Sequence, residues 1–319
     1  MLMFFGMVFP DETFPTSRSL LRYARNDAAR PSGYHYNNID IRYSLLAIRY
    51  SWTFAAMRTI LALFAATLFA GCSTNNVTTD ESLAPYFSNN NARGTFAIMD
   101  NTNGKFTVHN LGRYRDSAYA PGNTFDIVTG LVGLQTGKLA SDTARIGVAC
   151  VDSAGGAGAT FSEAFRSDCT PYFSELARRI GRDTLQHWTD SLGYGTRKLG
   201  PEGAGWRDGS LRVKADEQLG LVKRLYFNQL PFFKLNQELI KKAMQRESTA
   251  QYRLAWKSGT TRDSAGTLVW YTGWVEENNH PFFFTLNFHT TAGEAQASET
   301  GLTMLKGMLK QLGYFEGKK

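Results

Sequence analysis

The sequence predicts an α/β fold in which an antiparallel sheet is flanked by helices and carries an inserted all-α subdomain. Three observations predict it. Short runs rich in β-branched and aromatic residues open and close residues 94–319, apolar residues at helical spacing fill the middle, and a helix comes last. Strands from both ends must then share one sheet, with the helical middle set into it.

Taken in order, residues 94–99 and 105–109 are short strand-like runs separated by Asp100-Asn101-Thr102-Asn103-Gly104, whose Asn and Gly residues supply the positive φ angles of a tight turn. A buried helix is expected over 123–137, where Phe125, Ile127, Val128, Leu131, Val132 and Leu134 recur at helical spacing and Gly137 provides a stop. Further helices are expected over 171–180, ended by Gly181, and over 183–192 and 215–230. The period then changes, and strands are expected over 252–257, 267–275 and 281–289, followed by a helix over 299–312.

A chain of 319 residues, 43% hydrophobic and 20% charged, is long enough for a substantial core. Of the net charge of +7, residues 1–56 supply six Arg against four acids and Arg58 adds one more, leaving a mild excess for the remainder. No basic block interleaved with aromatics occurs, which argues against a nucleic-acid surface.

Met57-Arg58-Thr59 begins a charged start followed by an apolar run through Ala70, with Gly71 and then Cys72. The run is short for a membrane span. It resembles a bacterial lipoprotein signal, which implies a signal peptide over 57–71, a diacylglyceryl group on Cys72 and anchoring to a membrane through that lipid. Ser73 after the cysteine implies the periplasmic face of an outer membrane. Residues 72–93 are then expected to be a tether, and residues 1–56 an extension arising from a mis-called start. Cys150 and Cys169, 19 positions apart, are left as a pair that could bond or stay free.

Several segments together resemble the class D (oxacillinase-type) serine β-lactamases and the wider penicillin-binding transpeptidase-like fold. They are Tyr194-Gly195-Thr196, Trp206-Arg207-Asp208-Gly209, Lys257-Ser258-Gly259 and Trp270-Tyr271-Thr272-Gly273-Trp274-Val275-Glu276, with 171–181 and 225–244 as family-like helices. The resemblance runs from Gly94 to the C-terminus. It implies a cleft in which a serine attacks a lactam carbonyl, a carbamate-bearing lysine moves the proton, and a Lys-Ser/Thr-Gly strand holds the substrate carboxylate. It implies no cofactor and no metal.

At the reactive positions the sequence departs from that pattern. Asn123-Thr124-Phe125-Asp126 stands where the family has Ser-x-x-Lys, and Asp168-Cys169-Thr170-Pro171 stands where it has Ser-x-Val-Pro. An amide nitrogen has a delocalised lone pair and makes no stable acyl intermediate, so acyl transfer lacks its nucleophile and its base. Lys257, Ser258 and Gly259 are retained, and Trp206 falls where the family packs a tryptophan beside its modified lysine. The expectation is a cell-envelope lipoprotein acting as a binding or scaffold module for a peptidoglycan peptide or a β-lactam-like ligand. The alternative is an active β-lactamase-family hydrolase with a non-standard site, either a residual β-lactamase or an enzyme that recruits water through Asp126 or Asp168 without acylation. Either aspartate could pair with Lys257 and block an anionic ligand.

Overall fold

The computed structural model describes residues 76–150, 158–200 and 204–319. The expected extension over 1–56, the signal over 57–71 and the lipidation site at Cys72 lie outside these residues.

Seven strands form one sheet in the order β1-β3-β2-β9-β8-β7-β6. They are β1 (Val77–Thr79), β2 (Ala92–Asp100), β3 (Phe106–His109), β6 (Gln245–Ser248), β7 (Arg253–Asp263), β8 (Gly266–Glu277) and β9 (His280–Thr290). The expected hairpin is β2–β3, with Phe96 opposite His109 and Met99 opposite Phe106. Chain ends meet where β2 pairs with β9 along nine residues, Ala92 opposite Thr290 through Asp100 opposite Phe282.

Between β3 and β6 run α2 (Leu111–Asp116), α3 (Asp126–Gln135), α4 (Phe161–Arg166), α5 (Thr170–Ile180), α6 (Arg182–Leu192), α7 (Gly205–Asp208), α8 (Ala215–Tyr226) and α9 (Lys234–Met244). This insertion is helical apart from a two-residue pairing of β4 (Ala118–Tyr119) with β5 (Val213–Lys214). Helix α1 (Ala84–Ser88) precedes the sheet and α10 (Glu294–Gln311) closes the chain.

Strand alternation sorts the core into two layers. Ala97, Leu268, Trp270, Trp274 and Phe283 face the inserted helices. Phe96, Ile98, Val269, Tyr271, Phe284, Leu286 and Phe288 face α1 and α10 together with Met304, Leu305 and Met308. The sheet is thus buried on both sides, which is why the runs over 267–275 and 281–289 are apolar almost throughout rather than alternating with polar residues.

Three expectations need correction. Residues 77–93 are not a tether: Val77 pairs in parallel with Phe106, and Leu83 and Phe87 are buried in the second layer. Their polar look arises because only one side of so short a segment faces the protein. The helix expected over 215–230 stops at Tyr226, since Asn228 adopts a left-handed φ of 55° and Leu230 to Phe233 turn the chain into α9. The strand expected over 252–257 runs on to Asp263, placing Lys257-Ser258-Gly259 in mid-strand.

Cys150 and Cys169, left open by the sequence, form a disulfide with Cα atoms 5.8 Å apart. It ties the segment before α4 to the first turn of α5. Replacing Cys169 by Ser should cost about 3 kcal/mol, the entropy of freeing a loop of this length in the unfolded chain, read as a lower urea midpoint with a slope that rises rather than falls, because the freed chain exposes more surface when unfolded.

Candidate active-site cleft

Three segments converge on the middle of β7. The first is a 3₁₀ turn, Gly122–Phe125, that leads directly into α3. Asn123 lies on this turn and Asp126 is the first residue of α3, so the two side chains project from one helical start. The second is the joint between α4 and α5, where Asp168 sits at φ 52°. Aspartate tolerates that left-handed conformation better than most residues. The third is β7, bearing Lys257, Ser258 and Gly259. Gly259 is required by close approach: a Cβ there would lie 2.8 Å from the Asn123 nitrogen and 2.7 Å from that of Thr124.

Lys257 is fully buried. Its ammonium donates to the Phe165 carbonyl at 2.9 Å, pairs with Asp126 Oδ2 at 2.9 Å and pairs with Asp168 Oδ1. An ammonium has three N–H donors, and these three partners occupy them all. The rings of Phe165 and Phe173, with centroids 4.6 and 5.6 Å away, cover it further. Ser258 donates its hydroxyl to the other Asp168 oxygen at 2.5 Å. Asp168 therefore engages both of the polar side chains that β7 presents here, Lys257 and Ser258.

Asn123 turns its amide inward, donating to the Asp168 carbonyl and to Thr170 Oγ1, each at 3.2 Å, and lying 3.5 Å from Asp126 Oδ2. Thr124 donates to the Pro121 carbonyl at 2.7 Å and accepts from Gln218 at 2.6 Å, which braces the turn against α8. Trp206 stacks on Phe125 at 5.3 Å and 24°, behind the turn. It thus belongs to the aromatic wall behind the turn, with Phe125.

Two carboxylates share one ammonium, so one carries the cost of burial. Asp126 is 1% exposed, and its Oδ1 has no hydrogen-bond partner among the described residues. Burial pushes its carboxyl up to about 7, against the opposing pull of Lys257. The Asp168 side chain is 22% exposed and faces a cavity of ≈ 250 Å³, also lined by Cys150, Cys169, Thr170 and Pro171.

The structure thus brings together Asn123, Asp126, Asp168, Lys257, Ser258 and Gly259 and sets Trp206 one layer behind. Residue patterns did not reveal Phe165, whose contribution is a backbone carbonyl and so leaves no side-chain signature. Nor did they reveal Arg246, whose guanidinium lies 5.3 Å over the Trp256 ring and close enough to Asp168 to feel its charge.

A sheet covered on both faces, with a helix start and a helical joint meeting a Lys-Ser-Gly strand, defines the penicillin-recognising architecture. The family model described as penicillin binding protein transpeptidase domain matches residues 94–306, and the chain belongs to that family. It is 32% identical to β-lactamase OXA-20 of Pseudomonas aeruginosa over 73% of this chain and 89% of the relative. It is 27% identical to the regulatory protein BlaR1 of Bacillus licheniformis over 70% of this chain and 38% of that protein. Among solved structures, the class D β-lactamase YbXI from Nostoc aligns with a TM-score of 0.67 and 27% identity, covering 72% of this chain and 98% of that one.

Two outcomes follow from the shared ammonium. Lys257→Met should destabilise the protein by about 3–5 kcal/mol, because it leaves two carboxylates in a buried site without their cation, measured by denaturant unfolding at neutral pH. Asp126 binds its proton more tightly when folded than when unfolded, so its contribution to stability is fully present below pH ~4 and is lost as pH rises through ~7. Asp126→Asn should flatten that part of the stability–pH curve; an unchanged curve would show that the carboxyl titrates normally.

Proposed function

We propose that this chain is a cell-envelope module that keeps the penicillin-binding fold without its acyl transfer and serves as a binding or scaffold element for amine-bearing peptidoglycan peptides. The observation that carries this reading is the saturation of Lys257. A lysine that recognises the carboxylate of a β-lactam must offer it an N–H group, and here all three are spent on Phe165, Asp126 and Asp168. Displacing Asp168 with a ligand carboxylate would exchange one carboxylate for another and leave the first in a half-buried position, with little net gain.

The reacting groups support the same reading. Asn123 stands where the resemblance places the nucleophile, and its amide is already engaged by Asp168 and Thr170. Asp126 stands where it places the basic lysine and is held against Lys257 with no exposed edge for a water. As pH rises through ~7 Asp126 adds a second carboxylate to Asp168 in a cleft whose cations are Lys257 and, alongside Asp168, Arg246, so its field draws a ligand carboxylate less than those two cations would with the aspartates absent. The cavity beside Asp168 gives a ligand ammonium a place to approach. That BlaR1 is a regulatory protein is consistent with this fold serving outside hydrolysis. Anchoring through a lipid on Cys72, at the periplasmic face of an outer membrane, belongs to the same proposal and rests on the signal-like residues 57–71.

Purified protein incubated with a fluorescent penicillin should form no covalent adduct and should not turn over nitrocefin. An adduct that unlabelled penicillin competes away, or turnover by the unmodified chain, would overturn the reading in favour of a hydrolase. The Asn123→Ser/Asp126→Lys/Asp168→Ser variant serves as the positive arm and should gain acylation. A stem peptide with a free amine should raise Tm, because it binds only the folded state, and its N-acetylated form should not.

A further inference from the structure

We propose that the turn joining α8 to α9, remote from the cleft, is a docking surface for an anionic phospholipid bilayer. Two independent features coincide there. Among the described residues the exposed large hydrophobic side chains are Phe227, Phe233 and Leu235, at 39%, 68% and 69%, and all three fall within this one turn and the first residues of α9. Residues 223–242 also hold Lys223, Arg224, Lys234, Lys241 and Lys242 against Glu238 alone, a net of +4. Residues 76–319 carry 28 Lys and Arg against 24 Asp and Glu, also +4. The remainder of residues 76–319 is therefore neutral by formal count; within the segment Lys241 pairs with Glu238 and Lys242 with Asp142, so the cations with no carboxylate partner among the described residues are Lys223, Arg224 and Lys234, the last lying between Phe233 and Leu235.

The display is built rather than frayed. Gln237, 1% exposed, donates to the carbonyls of Leu230 and Phe232 and accepts from the Leu230 nitrogen. Gln135 accepts from the Phe233 nitrogen and from Asn236. Phe232 turns inward to stack on Trp188 at 4.6 Å, while its neighbour Phe233 turns outward. A frame this well bonded has no folding need for an exposed phenylalanine and leucine on either side of Lys234.

Exposed apolar side chains with Lys234 between them, in a segment of net positive charge, match the boundary of a bilayer, where rings and branched chains enter the acyl region and cations meet headgroup phosphates. A second copy of the chain fits poorly, since a two-fold contact would set +4 against +4. Free phosphate would leave the apolar side chains unused.

The test is flotation of the full chain with phosphatidylglycerol-containing vesicles and with pure phosphatidylcholine vesicles. Residues 1–75 contribute equally to every variant, so the differences between variants are what is read. Lys234→Glu and Phe233→Ser/Leu235→Ser should each weaken binding to the anionic vesicles by about tenfold or more, leaving Tm unchanged, and added salt should weaken the unmodified protein likewise. Phe233→Trp should show a blue-shifted emission difference with anionic vesicles and none with phosphatidylcholine. Undiminished binding by both variants, a Phe233→Trp spectrum that ignores anionic lipid, or a dimer dissolved by Phe233→Ser/Leu235→Ser without vesicle binding would overturn the proposal. None of these results bears on the cleft.

Discussion

The ammonium of Lys257 is fixed between Asp126 and Asp168, and much of the surrounding structure is arranged to keep it there. Burying one cation with two carboxylates is costly unless every donor is matched. The match is made by three chain segments at once: the start of α3, the α4–α5 joint and the middle of β7. Each segment is then supported in turn. Gly259 lets β7 lie against the 3₁₀ turn, Thr124 and Gln218 fix that turn to α8, and the disulfide at Cys169 holds the residue after Asp168.

This arrangement changes what a penicillin-recognising cleft can do. A free lysine and hydroxyl on β7 would form a receptor for a carboxylate, but Asp168 supplies that carboxylate from within the chain. The protein is, in effect, bound to its own side chain. Asp126 adds a second carboxyl with no compensating partner on Oδ1, and burial raises its proton affinity. The cleft's charge consequently varies near neutral pH and with it the Lys257–Asp126 ion pair, while the bonds from Lys257 to the Phe165 carbonyl and from Ser258 to Asp168 do not involve that proton.

The two faces of the sheet differ in what they contribute. The face toward α1 and α10 is chiefly an apolar layer, edged by the Lys306–Glu247 ion pair and by the buried carboxylate of Glu277. The other face carries the inserted helices, the cleft and, further along, the exposed α8–α9 turn. Both of the chain's candidate functional surfaces therefore draw on the insertion, the cleft jointly with Lys257 and Ser258 of β7 and the turn by itself.

Local sequence was enough for the strand and helix periods, for the β2–β3 hairpin, and for the chemical identities of Asn123, Asp126, Asp168 and Lys257, because side-chain period and residue type are properties of neighbours along the chain. It misread 77–93, where a short segment gains its order from β3 rather than from its own pattern. Only the tertiary structure decided that both aspartates reach the same ammonium, since Asp168 and Lys257 are 89 positions apart and meet through a left-handed residue that no periodicity announces. It also decided that Cys150 and Cys169 bond and that a backbone carbonyl completes the cation's shell. The physical reason is the same in each case: ion pairs, disulfides and carbonyl contacts depend on distance in space, which the order of residues along the chain constrains only after the fold has closed.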